Sequence, residues 1–160
     1  MRLIFWAGFW TFLLDQATKY IVVHQLDLIT RQQIDVVPPF LTFQMAWNRG
    51  VNFGLGAGFD MRWVLIGIAL AISVAVLVWL QRTGGTPKIH IAAGLLIGGA
   101  LGNVVDRVLY GAVADFINMS WYGFDNPYAF NVADVAIFAG ALGLAFLPDG
   151  RPPASKPKRA

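Results

Sequence analysis

Asp115 and Asp134 are the residues whose type and position in this chain best suit hydrolytic chemistry. Two carboxylates can share such work, because one activates water while the other protonates a leaving group. At about 4 Å, two like charges repel by roughly 4 kcal/mol at an effective dielectric near 20, which is worth about 3 pKa units. One member of a close pair therefore keeps its proton near neutral pH, so identical side chains serve as acid and base. The titration then belongs to the pair. The plainer alternative makes Asp115 a loop residue and Asp134 a helix cap.

Asp115 lies near the end of the stretch Gly98–Phe116, GGALGNVVDRVLYGAVADF, which begins as an apolar, glycine-rich helix and also carries Asn103, Asp106 and Arg107. An ionisable residue at a bilayer centre costs about 2.5–3.5 kcal/mol even on the lenient insertion scale. Polar groups at this density need partners, water and usually a task. Asn103 and Arg107 are four residues apart and share a helix face, with Asp106 and Tyr110 on a neighbouring one. Arg107 can orient a carboxylate through its planar fork of donors, or anchor the helix at the interface. Asp15 and Lys19 read as an intrahelical pair that lowers the cost of charge in the first span. Asn131 either steers Asp134 by hydrogen bonding or caps the last helix. Gly94, Gly98 and Gly102 share one face, which ordinary close helix packing explains. His24 and His90 fall at opposite membrane faces and are not expected to share a metal.

The surrounding chain has 160 residues, 57% hydrophobic and 13% charged, against about a quarter charged in ordinary soluble domains. Membrane residence in one compact bundle follows. Cysteine is absent, which excludes disulfides, thiolate metal sites and a cysteine nucleophile; glutamate is absent too, so carboxylate chemistry falls to the nine aspartates. Four segments, residues 3–24, 62–80, 89–110 and 132–147, read as membrane-spanning helices, each near the roughly 20 residues required. Arg2 with the apolar run after it resembles a secretory signal, but no small-x-small cleavage site follows, so the first span is expected to be retained. Arg2, Arg82, Lys88, Arg151, Lys156, Lys158 and Arg159 all fall on one side, which makes both termini cytoplasmic. Residues 149–160 read as a disordered basic cytoplasmic tail after a single domain, 1–148.

On the outer side, Leu41, Phe43, Met45 and Trp47 alternate as in a half-buried strand. A small β-cradle over residues 34–58 is expected on the membrane surface. The connection 117–131 carries Trp121, Tyr122 and Tyr128, which suit the interface. This topology puts Asp115 just beyond the third helix, and Asp134 in the first turn of the fourth. Asp15 and the loop carrying Asn48 reach a similar level, so several polar groups converge at the outer leaflet.

DQATK at 15–19, NRGVNFG at 48–54, GNVVDR at 102–107, VADF at 113–116 and FNVAD at 130–134 together resemble the lipoprotein signal peptidases, or signal peptidase II, bacterial inner-membrane aspartyl endopeptidases. Any one motif is weak; five in the family's order are specific. The resemblance implies an all-α integral membrane protein, a four-helix bundle with an outer β-cradle. It implies that Asp115 and Asp134 are the catalytic pair, and that Asp15, Asn48, Asn103, Arg107 and Asn131 surround it and bind substrate. It implies cleavage of diacylglyceryl-modified prolipoproteins just before the lipidated cysteine, at the extracytoplasmic face of the inner membrane. A monomer in contact with membrane lipid is expected, without metal, organic cofactor or nucleic acid. Asn52 stands where the family usually has alanine, and Ala114 where valine is common. Two rivals remain. A serine–lysine peptidase would use Ser120 with Lys19, and a small transporter or proton channel would use the same buried aspartates as a relay.

Overall fold

The computed structural model of the chain describes residues 1–50 and 60–148. Asn52, the glycines at 54, 56 and 58, the cradle beyond residue 50 and the tail 149–160 lie outside the described residues. The chain is mostly helical with one three-stranded sheet. Its elements run α1 (Arg2–Lys19), a π-helical continuation (Tyr20–Gln25), α2 (Leu28–Arg31), β1 (Gln33–Val37), β2 (Leu41–Asn48), α3 (Met61–Thr83), α4 (Pro87–Tyr110), β3 (Val113–Met119) and α5 (Val132–Phe146). By length and composition, α3 and α4 can cross a membrane.

α4 is the central helix, packed against α1, α3 and α5. It starts with Thr86 as N-cap and Pro87 in its first turn, and stops at Gly111, whose φ of 76° is the left-handed geometry glycine tolerates. The shared glycine face lets α1 come very close. A Cβ on Gly98 would collide with the Gly8 carbonyl, and lie 2.8 Å from Gly8 Cα and 2.9 Å from Thr11 Cβ. One turn on, a Cβ on Gly102 would press into the Asp15 carboxylate. That glycine does more than pack helices: it leaves the space a buried charge occupies.

The sheet is antiparallel with order β1-β2-β3. The sequence pattern places a strand over β2, within a cradle expected from residue 34, but leaves β3 as chain beyond the third helix and the start of a connection. β3 is nearly all buried, so it lacks the alternation that marks a half-exposed strand. The alternation in β2 is itself broken. A bulge between Phe43 and Ala46 leaves Phe43 opposite Ile117 and Ala46, rather than Met45, opposite Asp115. A one-residue slip exchanges the faces of everything after it. Asn48, two residues beyond Ala46, thereby joins the Asp115 side, while Trp47 turns out against Tyr110, ring centroids 5.6 Å apart.

Two apolar clusters flank the polar middle. Ile4, Leu80, Ile89 and Ala93 pack between the helices, and Val22, Leu28 and Phe116 pack with Phe43 and Met45 beneath the sheet. After β3 the chain loops out and returns through Phe130, whose carbonyl accepts from the amides of Phe116 (3.1 Å) and Ile117 (2.8 Å). This pairing delivers Asn131 and the start of α5 to the side of β3.

Candidate active site

Asn131 joins the two aspartates. As N-cap of α5 it forms a reciprocal capping box: its Oδ1 accepts from the Asp134 amide at 2.9 Å, and its own amide donates to Asp134 Oδ2 at 3.1 Å. The capping role fixes its side chain, so Nδ2 turns outward and donates to Asp115 Oδ1 at 2.6 Å. The cap reading of Asn131 therefore holds, while its side-chain amide goes to Asp115 rather than to the Asp134 carboxylate. Asn48 Nδ2 donates to the other oxygen of Asp115 at 3.1 Å, and Asn103 Nδ2 to the other oxygen of Asp134 at 2.9 Å. Among the described residues each of the four carboxylate oxygens takes one N–H, which leaves each a second lone-pair position. Asp115 is a strand residue, not a loop residue, and only 3% exposed. Asp134 is half-buried.

Burial, and next the negative charge of Asp134, push the Asp115 carboxyl up to about 6; hydrogen bonds from Asn48 and Asn131 and the charge of Lys19 act in the opposite direction. A raised folded-state value means that the folded protein binds the proton more tightly than the unfolded chain. Asp115 therefore contributes stability that is complete below its unfolded value, 3.8, and lost as pH rises through about 6. A shift of this size corresponds to about 3 kcal/mol. Asp115→Asn abolishes that titration. Its thermal midpoint in detergent, relative to the parent, is expected to rise between pH 4 and pH 8. A difference that does not vary with pH would remove the buried like-charge pair.

Behind the pair lies a second polar layer. Lys19 Nζ reaches Asp15 Oδ2 at 2.8 Å, Asp106 Oδ2 at 2.7 Å and Asn103 Oδ1 at 3.2 Å. All four residues are buried. The intrahelical pair read from the sequence is present, but Asp15 makes no hydrogen bond to either Asp115 or Asp134 among the described residues. Its Oδ1 instead accepts from the Ala133 amide at 2.9 Å, tying α1 to the first turn of α5. Asp106 accepts from the Ala114 amide at 3.2 Å, beside Asp115. Gln16 donates to both, at 3.1 Å each. Sequence reasoning left Gln16 out and gave Asp106 no role; the usable signal was a second charge on an apolar helix, three residues after Asn103.

Arg107 takes neither expected form fully. Its Nη1 donates to the Asn103 carbonyl at 3.4 Å, it makes no ion pair among the described residues, and its buried Nε has no partner among them. Ser120 is committed elsewhere: its hydroxyl donates to Asn118 Oδ1 at 3.0 Å and accepts from the Asn126 amide at 3.1 Å. With the Lys19 ammonium already spread over three acceptors, the serine–lysine arrangement is not assembled.

A family model described as Signal peptidase (SPase) II matches residues 8–147 of the chain. A lipoprotein signal peptidase of Methylobacterium radiotolerans is 42% identical over 157 residues, spanning 93% of this chain and 88% of that protein. One from Pseudomonas aeruginosa is 39% identical over 143 residues, spanning 88% and 83%. Among solved structures, a bacterial membrane enzyme determined by the in meso method aligns with a TM-score of 0.75 at 30% identity, covering 93% of this chain and 95% of its own. A second such structure aligns with a TM-score of 0.70 at 29% identity, covering 90% and 85%. These likenesses give the transport reading no support.

Proposed function

Because the chain belongs to the signal peptidase II family, and so removes signal peptides from prolipoproteins, we propose that Asp115 and Asp134 are its catalytic pair. The observation that carries this is the bridging of the two carboxylates by one asparagine, with every oxygen anchored by a single N–H and none paired with a cation among the described residues. Asp115, whose carboxyl is pushed up to about 6, starts as the acid, and Asp134 as the base. Asp134 takes a proton from water as its oxygen attacks the scissile carbonyl carbon, while Asp115 gives its proton to the carbonyl oxygen. The tetrahedral diol then collapses: Asp134 returns its proton to the departing nitrogen, Asp115 recovers one from a diol hydroxyl, and the C–N bond breaks.

Asn48, Asn103 and Asn131 hold the carboxylates at fixed angles. Arg107, one turn after Asn103 on α4, serves the substrate backbone beside the pair, and Asp15 supports the site through the α5 terminus. The substrate is a diacylglyceryl-modified prolipoprotein cut just before its lipidated cysteine. Four spans are proposed, with α1 and α5 joining α3 and α4 in the bacterial inner membrane. The outward faces of α1 (Phe5, Phe9, Leu13) and α5 (Val135, Phe138, Leu142) are exposed and apolar, as lipid contact requires. Both termini are cytoplasmic, and the site opens to the extracytoplasmic side under the sheet, where exposed Phe40, Trp121 and Tyr122 suit the interface. One chain supplies the whole cluster, so a monomer is the working unit.

Purified protein incubated with diacylglyceryl-modified and unmodified forms of one precursor tests the reading by product mass. The expected result is cleavage of the modified form alone, at the bond preceding the cysteine. Equal cleavage of both forms, or cleavage at another bond, overturns it.

A further inference from the structure

We infer that Lys19 is a positioning residue for the cleavage reaction: together with Asn131, its ammonium fixes which end of the Asn103 amide faces Asp134. The inference rests on the Asp115–Asp134 reading above and deepens it. An ammonium has three donors and no acceptor, so whatever atom of Asn103 faces Lys19 must be the oxygen. The donors of Lys19 go to Asp15 (2.8 Å), Asp106 (2.7 Å) and Asn103 Oδ1 (3.2 Å). Asn131 Nδ2, whose direction is already set by the capping box, donates to the same Asn103 oxygen at 3.3 Å. With its oxygen held from two sides, Asn103 can present only Nδ2 to Asp134 Oδ1, at 2.9 Å. A reversed amide would set a carbonyl against that carboxylate oxygen. Such a contact is satisfied only when Asp134 carries a proton, which disables it as a base.

The two carboxylates beside Lys19 also acquire a reason. Asp15 and Asp106 pair with the ammonium in a buried layer, and a lysine ammonium is a donor at every position. Asp15 faces it from α1, and Asp106 and Asn103 face it from α4. Tyr20, His24 and Tyr110 line a cavity of about 130 Å³ on its other side. Asp134 is faced by Asn103 on α4 and Asn131 at its own helix start, and Asp115 on β3 is coupled to it. Arg107 sits one turn after Asn103 on α4.

The test measures kcat, KM and the pH profile on a diacylglyceryl-modified precursor. The variants are Lys19→Met, Lys19→Arg and the charge-balanced double variant Lys19→Met with Asp106→Asn, each checked for a thermal transition in detergent. Lys19→Met and the double variant are expected to lose about 100-fold in kcat with KM changed by less than about threefold. Their acid limb moves to higher pH, because Asn103, then held by Asn131 Nδ2 alone, is free to turn its carbonyl to Asp134, a contact that favours the protonated acid. Lys19→Arg keeps the parental profile, since a guanidinium also only donates and the neighbouring cavity gives it room. A lysine that served stability alone would lower the folded fraction and leave the profile of the remaining enzyme in place. Should Lys19→Met not fold, the double variant decides. A parental kcat and pH profile in either folded variant overturns the inference. Asp115→Asn in the same assay separates the two readings. If it is inactive beside a fully active Lys19→Met, the positioning role of Lys19 alone falls; if it is active, the catalytic pair falls and takes that role with it.

Discussion

Asp115→Asn is expected to cleave a diacylglyceryl-modified precursor about 10³–10⁴-fold more slowly than the parent, the upper part of the range for a positioned general acid or base. The substitution changes one atom in a side chain buried on β3, so shape and packing are kept. An amide has one acceptor oxygen, and it can satisfy either Asn131 (2.6 Å) or Asn48 (3.1 Å), but not both. The loss of one such bond costs about 1 kcal/mol, and relief of the repulsion with Asp134 offsets it above pH 6. The fold therefore survives while the proton supply is gone, and KM should change little. Asp134→Asn should lose a comparable factor in kcat. It also disturbs the capping box, so its thermal midpoint falls where that of Asp115→Asn does not. Cleavage within tenfold of the parent by either folded variant would mean that the carboxylates do no proton transfer.

What the sequence disclosed here follows a physical rule. Charges inside apolar runs are expensive, so Asp15, Lys19, Asn103, Arg107 and Asp115 stood out against their surroundings. Helical periodicity then placed Asn103 and Arg107 on one face, and small-residue spacing placed Gly98 and Gly102 on another. Three features were not visible. β3 has no polar alternation, because it is nearly all buried, paired with β2 on one edge and Phe130 on the other and packed against α4 and the π-helical segment; a short apolar run of this kind reads equally as helix. The bulge in β2 depends on pairing with β3, so the alternation of Leu41, Phe43, Met45 and Trp47 does not show that Asn48 shares a face with the residue opposite Asp115. Asp106 faces Lys19 rather than the pair of aspartates, and contacts between α1 and α4 are set by how closely their glycines allow the backbones to approach. Each omission involves a partner distant in sequence. Local pattern reports that a polar group needs company, but packing decides which company it keeps.

Asp15→Ala tests that packing, and it is the substitution outside the pair with the largest expected cost to stability. Removing Asp15 does not leave a bare charge, because Lys19 keeps Asp106 at 2.7 Å. The loss lies in hydrogen bonds. The Ala133 amide, bound to Asp15 at 2.9 Å in a fully buried position, is left without its acceptor, at about 1–3 kcal/mol; the charge-assisted bond to Lys19 is worth about 1.5–3 kcal/mol. Together these approach about 3–5 kcal/mol, a large share of the roughly 5–15 kcal/mol that holds an ordinary domain folded. Asp15→Asn keeps an oxygen for Ala133 and turns its NH₂ toward an ammonium, so it should cost less than Asp15→Ala and more than nothing. Gly102→Ala presses a methyl group into the same carboxylate and displaces it from Ala133, at about 1–3 kcal/mol. The nearest atoms to that methyl are all in Asp15: Oδ2, then Cγ at 3.2 Å and Cβ at 3.6 Å. In an Asp15→Ala background only the Cβ remains, at ordinary contact distance. The two substitutions should therefore be strongly non-additive, with Gly102→Ala nearly free once Asp15 is alanine. Thermal unfolding of the four proteins in one detergent measures the cycle. Additive losses would show that Gly102 is small for the sake of the helix backbones, and that the Asp15 carboxylate does not hold the start of α5.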